Sequence, residues 1–367
     1  MGVEFWRFGA SPDVELRDFG QAAARFEDLG WDGLSIPAGI MPGARMSAGP
    51  AQAGTVPLIP LHHPFTALAL AAASTTRLKL GTSTSAPTIH PREAAAGIDL
   101  LHWMSRGRMV HSFSRGDSVM LQTKRAGGIT VGEFSRYLSD VHGYLRRDDT
   151  DERARRYGET WGLDWHQGQS KPPVNVSATG PKMTDLAARQ ADGISVAVGA
   201  NPRRIARALH RARSVRAAAG LSAQPFSVGC YVPIVVVTDG DYRAGRDRIR
   251  WSVHIHARFS AISGSALADV DSEDRSSIER IGASGHAMAK PRTGGATPHR
   301  DVAGELVGDD LVDRFAVVGN PDECAARLNE VAETGVDRIL LLNPAPSADP
   351  EDRNSELLAR KVLPLLR

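Results

Sequence analysis

Cysteine is scarce in this chain of 367 residues: Cys230 and Cys324 lie far apart, with neither a CxxC spacing nor a third thiol beside them. That excludes a disulfide framework and a thiolate metal site, and it fits a reducing cytosol. An excess of one charge sign is missing too, since 44 Lys and Arg face 42 Asp and Glu for a formal net charge of +2. No strong field is then available to hold nucleic acid or an anionic membrane surface. No apolar run is long enough to span a bilayer, and the start Met-Gly-Val-Glu-Phe-Trp-Arg lacks the basic stretch and apolar core of an export signal. Gly2 alone would suggest myristoylation, but Trp6 stands where the acylation pattern requires Ser or Thr. These absences leave a cytoplasmic protein whose partners are small molecules, with no nucleic acid and no membrane.

What is present is an alternation of strand-like and helix-like segments, the pattern of a parallel sheet wrapped in helices. Val3 to Phe8 reads as a first strand, and Leu34-Ser35-Ile36 as a second after a helix carrying Phe19, Ala23, Phe26 and Leu29. Strands follow at Leu78 to Thr82, Met109 to Phe113, Val174 to Ser177, Ile194 to Val198, Val228 to Val237 and Arg338 to Leu342. That makes eight, the number of a closed (β/α)8 TIM barrel, so the whole chain, 1–367, is read as one α/β domain. Two stretches break the beat. Residues 37–60, rich in Gly, Ala and Pro, read as a long loop, and 263–311 as an irregular insertion; both are expected to cover the active-site face. A last helix from Glu351 to Leu366 is expected to pack on the barrel exterior through Leu357, Leu358, Val362 and Leu365.

Barrel enzymes carry their sites at the C-terminal ends of the strands, so the residues just after each strand are the candidates. Ser177-Ala178-Thr179-Gly180-Pro181-Lys182 turns directly from strand into helix, and free N–H groups at that helix start make a phosphate site to which Thr179 and Lys182 add a hydroxyl and a charge. An ordinary βα turn with proline at the first helical position has the same sequence signature. Ser114-Arg115-Gly116-Asp117-Ser118 is a second polar strand exit; taken alone it is a common polar turn, and its position raises it.

Four stretches resemble the luciferase-like flavin oxidoreductase (monooxygenase) superfamily. They are Leu80-Gly81-Thr82 through His90-Pro91; Ser105-Arg106-Gly107-Arg108 leading to Arg115-Gly116-Asp117-Ser118; Ala178-Thr179-Gly180-Pro181-Lys182 with Ala191-Asp192-Gly193; and Phe315 through Glu323. They recur in family order over nearly the whole chain. Within the superfamily, the Arg-Gly-Asp-Ser and Gly-Pro-Lys forms are similar to the branch of methylenetetrahydromethanopterin reductase, whose cofactor is the deazaflavin coenzyme F-420; other members use FMN. The resemblance implies a cofactor ring backed by a non-proline cis peptide near Ser83-Thr84, a phosphate held by Ala178 to Lys182 and by Arg115 to Ser118, and a homodimer.

One departure matters. Many relatives end strand two with an acidic residue and His, whereas Ser35-Ile36-Pro37-Ala38 carries no ionisable group. The candidate catalytic histidines then lie elsewhere: His90, which matches a family position, ranks first, and His63 beside His62 second, while His111 lies within a strand and His286 and His299 in the insertion. Any of these is more commonly structural than catalytic. No spacing supplies a metal site. The expected function is hydride transfer between coenzyme F-420 and a small organic substrate. The alternatives are an FMN-dependent monooxygenase fed by a partner flavin reductase and, from another class, a non-catalytic flavin-binding barrel. A hydrolase barrel is a weaker alternative, because Asp117 is the clear carboxylate at those exits.

Overall fold

The computed structural model describes residues 2–9, 16–37, 46–47, 55–56, 64–116, 128–146, 170–261, 264–284, 305–344 and 353–366. Eleven strands are formed among them: β1 Glu4–Phe8, β2 Gly33–Pro37, β3 Met46–Ser47, β4 Thr55–Val56, β5 Lys79–Ser85, β6 Met109–Ser114, β7 Val174–Ala178, β8 Gly193–Val196, β9 Ser227–Val236, β10 Val317–Gly319 and β11 Arg338–Leu342. Eight of these, in the order β1-β2-β5-β6-β7-β8-β9-β11, are parallel and close on themselves, because β8 pairs with the first residues of β9 and β11 returns to β1. The barrel read from the alternation is therefore the fold, with the Val228 strand seventh.

Helices α1 Phe19–Asp28, α2 Pro64–Ser74, α3 Pro91–Met104, α4 Val131–Arg146, α5 Pro181–Gln190, α6 Pro202–Ala218, α7 Tyr242–Ala261, α8 Gly264–Ala268, α9 Ser272–Ala283, α10 Asp309–Phe315, α11 Pro321–Ala332 and α12 Arg353–Leu357 lie outside the barrel strands. A recurring device starts them: α3, α5, α6 and α11 each begin on proline, whose fixed φ suits a first turn that needs no N–H there. Asn201 and Asn320 complete the starts of α6 and α11 by accepting from backbone N–H groups, the latter in a reciprocal pair with Glu323. The outward faces of the strands, with Leu34, Leu80, Val176, Ile194, Cys230 and Ile339, pack against this helical layer as the main core. Both thiols are buried and pushed up to about 12 by that burial, so neither is a nucleophile at neutral pH.

Four expectations are corrected. The described part of 263–311 is largely helical, formed by α8, α9 and the start of α10, and Ile278 and Ile281 of α9 with Leu311 of α10 join a second core against α7. Short helices with few apolar residues have weak periodicity, which is why the sequence reads as irregular there. The loop 37–60 carries the antiparallel pair β3–β4. The chain end is no uniform helix: α12 passes into a π turn over Leu358–Val362 and a 3-10 turn over Leu363–Leu365, so Leu358, Val362 and Leu363 are buried while Leu365 is 49% exposed. A wider turn shifts the angular phase of every later residue, which defeats a stripe drawn at 3.6 residues per turn. Finally, the described backbone holds no cis peptide bond. Through Ser83-Thr84 the strand β5 keeps its register with β6, Ser83 opposite Ser112 and Ser85 opposite Ser114.

β9, ten residues long, outruns its neighbours. Beyond Pro233, the last residue opposite β11, one edge takes β10 and the other is capped by Asn354, which accepts from Val236 N at 2.8 Å and donates to Ile234 O at 3.0 Å. The extension carries the chain above the barrel rim before α7 turns back.

Candidate active site

In a barrel every second residue faces the lumen. Gly33, Ser35 and Pro37 of β2, Gly81, Ser83 and Ser85 of β5, Ser112 and Ser114 of β6, Asn175 and Ser177 of β7, and Ser195 of β8 occupy that inward set, matched strand to strand by the register. The floor is Trp6, 1% exposed, whose ring lies where Gly33 and Gly81 have no side chain; a Cβ on those glycines would sit 2.4 and 2.7 Å from it. Its Nε1 donates to Glu4 Oε2 at 3.0 Å, and the Arg338 guanidinium lies 4.9 Å from the ring centroid, so the indole is fixed from two sides.

Above the floor is a tier of hydroxyls. Tyr231 of β9 projects into the lumen with its oxygen 3.0 Å from Ser177 Oγ, which is itself 3.4 Å from Ser83 Oγ; Ser195 also reaches the phenol. Burial pushes the Tyr231 phenol up from its ordinary value, so it stays a neutral donor. One step nearer the rim, Ser85 Oγ and Ser114 Oγ are 3.4 Å apart. Of this tier, Ser195 and Tyr231 were not among the residues the sequence singled out, and Ser177 entered only as the start of the β7 exit, with no role given to it. The signal was there in the period of two: small polar residues recur at every second position of four neighbouring strands, Ser83 and Ser85, Ser112 and Ser114, Asn175 and Ser177, and Ser195.

The predicted residues divide. Ser83 faces the lumen and joins the tier. Thr84 faces away: its Oγ1 is 2.8 Å from His111 Nε2, in the layer where His111 packs on Phe65 and Phe113. Its backbone alone is left at the lumen wall. His111 is fully buried, and burial drives it down to about 3, so it is a neutral structural partner. His90 is exposed and serves as the N-cap of α3, its Nδ1 accepting from Arg92 N at 3.3 Å. Arg115 and Gly116 leave β6 at the rim, Gly116 with φ of 91°, a left-handed turn suited to glycine. Asp117, Ser118, His62, His63, His286 and His299 lie outside the described residues. Ala178 ends β7 buried among the outward core, Thr179 Oγ1 donates to Ala197 O at 3.4 Å, and Gly180, Pro181 and Lys182 open α5 with Lys182 exposed. The turn thus forms as expected, and it brings Thr179 and Lys182 to the same rim as Arg115.

The inserted helices wall this rim. Phe259, near the end of α7, packs on the lumen cluster of Trp6, Ala197, Tyr231 and Leu340. Its neighbour Ser260 accepts from Arg204 Nη2 at 2.9 Å, while Arg204 Nη1 donates to Val198 O at 3.1 Å and so ties α7 to the exit of β8. Ala266 of α8 lies so close to Gly180 that a Cβ there would be 2.9 Å from it. No group of three His, Cys, Asp or Glu among the described residues has the arrangement of a metal site. The donor set is one of neutral hydroxyls deep in the mouth and cations at its edge, which suits a planar polar ring with an anionic tail.

Comparison with known proteins agrees with the fold. A family model described as luciferase-like monooxygenase matches residues 5–338. The 5,10-methylenetetrahydromethanopterin reductase of Archaeoglobus fulgidus is 26% identical over 312 residues, 83% of this chain and 87% of that protein. The F-420-dependent glucose-6-phosphate dehydrogenase of Nakamurella multipartita is 26% identical over 372 residues, 98% and 94% of the two chains. The solved coenzyme F-420-dependent tetrahydromethanopterin reductase of Methanopyrus kandleri shares the fold with a TM-score of 0.70 over 100% of both chains at 19% identity. A barrel with a hydroxyl-lined mouth, matched from its first strand to its last, belongs to the luciferase-like monooxygenase family of enzymes.

Proposed function

We propose that the protein is an oxidoreductase that passes hydride between the deazaflavin coenzyme F-420 and a small organic substrate. The observation that carries this reading is the neutral tier of Ser83, Ser177, Ser195 and Tyr231 at the base of the mouth, in a chain whose relatives include F-420-dependent enzymes along nearly their full length. The cofactor, when bound, supplies the hydride chemistry, so the protein needs orientation and exclusion of water more than strong acids or bases. Ser83 and Ser177 would present hydroxyls to the ring edge. Tyr231 is a positioning residue beneath them, fixing the direction of the Ser177 hydroxyl. The backbone from Thr179 to Lys182, with Arg115, Gly116, Asp117 and Ser118, would hold the anionic tail. Proton transfer at the substrate is assigned to His90 or His63. His90 Nδ1 accepts from Arg92 N at the cap of α3, which places its ring at the helix start beside the β5 exit. The protein is further proposed to act as a homodimer in the cytoplasm; no helix of the described residues is long and apolar enough to cross a membrane.

The family description favours a second reading, an FMN-dependent monooxygenase that takes reduced flavin from a partner reductase. Titrating the purified apoprotein with F-420 and with FMN, followed by cofactor fluorescence, separates the two. Micromolar binding of F-420, about 8 kcal/mol, with FMN at least tenfold weaker is the expected result. Failure of both to bind below millimolar, about 4 kcal/mol, would overturn the assignment of a flavin-type site.

A further inference from the structure

The lumen has two unlike halves. From β5 to β8 the inward positions form an arc of serines with one asparagine. Facing that arc, β9, β11 and β1 run side by side with their inward positions level: Tyr231, Leu340 and Trp6 in one tier, and Pro233, Leu342 and Phe8 in the tier nearer the rim. Trp6, Leu340 and Tyr231 belong to one buried cluster, on which Phe8, Leu342 and Phe259 of α7 pack. The Phe8 and Tyr231 rings meet edge to face, their centroids 5.3 Å apart and their planes at 81°. Since β11 separates β1 from β9 in the wall, this contact passes over the lumen face of β11 and fixes both rings inside the barrel.

The polar neighbours of this second arc are turned away from the mouth. Arg7, between Trp6 and Phe8, faces outward: its Nε donates to Ser355 Oγ at 3.0 Å and its guanidinium lies 4.5 Å from the Phe26 ring centroid. Asn343, which follows Leu342, donates to the same Ser355. Arg338 lies at the level of the floor, against Trp6. Among the described residues, the arc above the floor therefore holds no charged side chain. Phe8, Leu342 and Phe259 are only half-buried, whereas Trp6 and Leu340 beneath them are fully covered. Apolar surface left partly wet at the mouth of a barrel is surface that a ligand gains by covering.

The cofactor site separates the roles of the two arcs. Thr179 to Lys182 follow β7 and Arg115-Gly116 follow β6, so the groups assigned to the anionic tail stand over the serines. A polar ring reaching inward from there lies along the serine arc and leaves β9, β11 and β1 uncovered. We propose that this apolar arc is the wall on which the substrate lies, with Phe8 and Leu342 as specificity-determining residues, and that the substrate is an uncharged molecule with an apolar body. This rests on the hydride-transfer reading for the identity of the site and adds the class of substrate. Covering Phe8, Leu342 and Phe259 favours binding of an apolar body, whereas a carboxylate or phosphate placed there would lose its water with no cation of the described arc to pair with it.

Isothermal titration calorimetry of the F-420-loaded protein with two probes that differ by one carboxylate, acetophenone and 4-acetylbenzoate, tests the proposal without turnover. Acetophenone is expected to bind at least about tenfold more tightly. Equal or tighter binding of 4-acetylbenzoate, or no binding of acetophenone below about 10 mM, overturns the proposal. F8A and L342A should each weaken acetophenone about tenfold while the F-420 Kd, which also reports correct folding, stays within about twofold. A loss of F-420 affinity as large as the loss of ketone affinity would assign the arc to the cofactor and overturn the proposal. L342K should reverse the preference, so that 4-acetylbenzoate binds more tightly than acetophenone, and an unchanged preference counts against the arc as the substrate wall. Failure of the wild type to bind F-420 or FMN would reject the hydride-transfer reading instead; the same two probes titrated into the cofactor-free protein then decide the apolar wall, retained preference for acetophenone supporting it and loss of that preference overturning it.

Discussion

Replacement of Gly81 by alanine is the sharpest probe of how the floor supports the site. The new Cβ would lie 2.7 Å from Trp6 Cζ3 and 3.3 Å from Ser35 Cβ, so the indole would have to retreat by most of an ångström. It has nowhere to go: the ring is 1% exposed, bonded to Glu4 at 3.0 Å, and stacked beneath Arg338. Overpacking against a fixed neighbour costs about 2–3 kcal/mol, a factor of roughly 30 to 150 in the folding equilibrium. Trp6→Phe removes the far ring that meets the new methyl but opens a void of its own, so each single change should destabilise by about 2 kcal/mol or more. The double variant should be less destabilised than the two singles combined, with a coupling of about 1–2 kcal/mol. Denaturant melts followed by far-UV circular dichroism read stability, and cofactor titration reads whether the displaced indole disturbs the tier above it. If G81A matches the wild type within about 0.5 kcal/mol, or if the two changes are additive, the reasoning that Trp6 is a rigid floor is refuted.

Two other outcomes follow from buried polar groups. Tyr231→Phe leaves the Ser177 hydroxyl, 3.0 Å from the lost oxygen, without that partner, which should cost about 1–3 kcal/mol of stability. Cofactor affinity should fall about tenfold with a smaller change in substrate KM, and unchanged affinity would remove Tyr231 from the site. His111 is held well below its unfolded value, at about 3, so the unfolded chain takes up the extra proton as acid is added. Stability from keeping it neutral is complete above pH 6.5 and is lost as pH falls toward about 3, by at most about 1.4 kcal/mol per unit. H111Q should flatten that part of the stability-versus-pH curve relative to wild type, measured by urea melts at several pH values, and an unaltered slope would show that another group controls it.

Much of this architecture was legible because it is written in local periods. Strands of four to ten residues with apolar outward faces, separated by helices that begin on proline after His90, Gly180, Asn201 and Asn320, fix both the eight-fold count and the order. The exits at Arg115-Gly116 and Thr179 to Lys182 could be found for the same reason, since a strand end followed by a helix start is a local event. Their membership of one rim followed once the barrel was recognised.

What local pattern does not encode is which side of a strand a residue faces when both faces are buried. Ser83 and Thr84 are adjacent and chemically alike, yet one joins Ser177 and Tyr231 in the lumen while the other bonds His111 behind the wall. Closure of the barrel decides this, because it sends alternate residues into two different environments. Likewise the composition of 263–311 says nothing of its packing; only the tertiary contacts put Ala266 on Gly180 and, from α7, Phe259 over the lumen. The sequence by itself determined a barrel, its rim and the polar turns on it. The tertiary structure alone decided which hydroxyls meet, since that depends on contacts between residues dozens of positions apart.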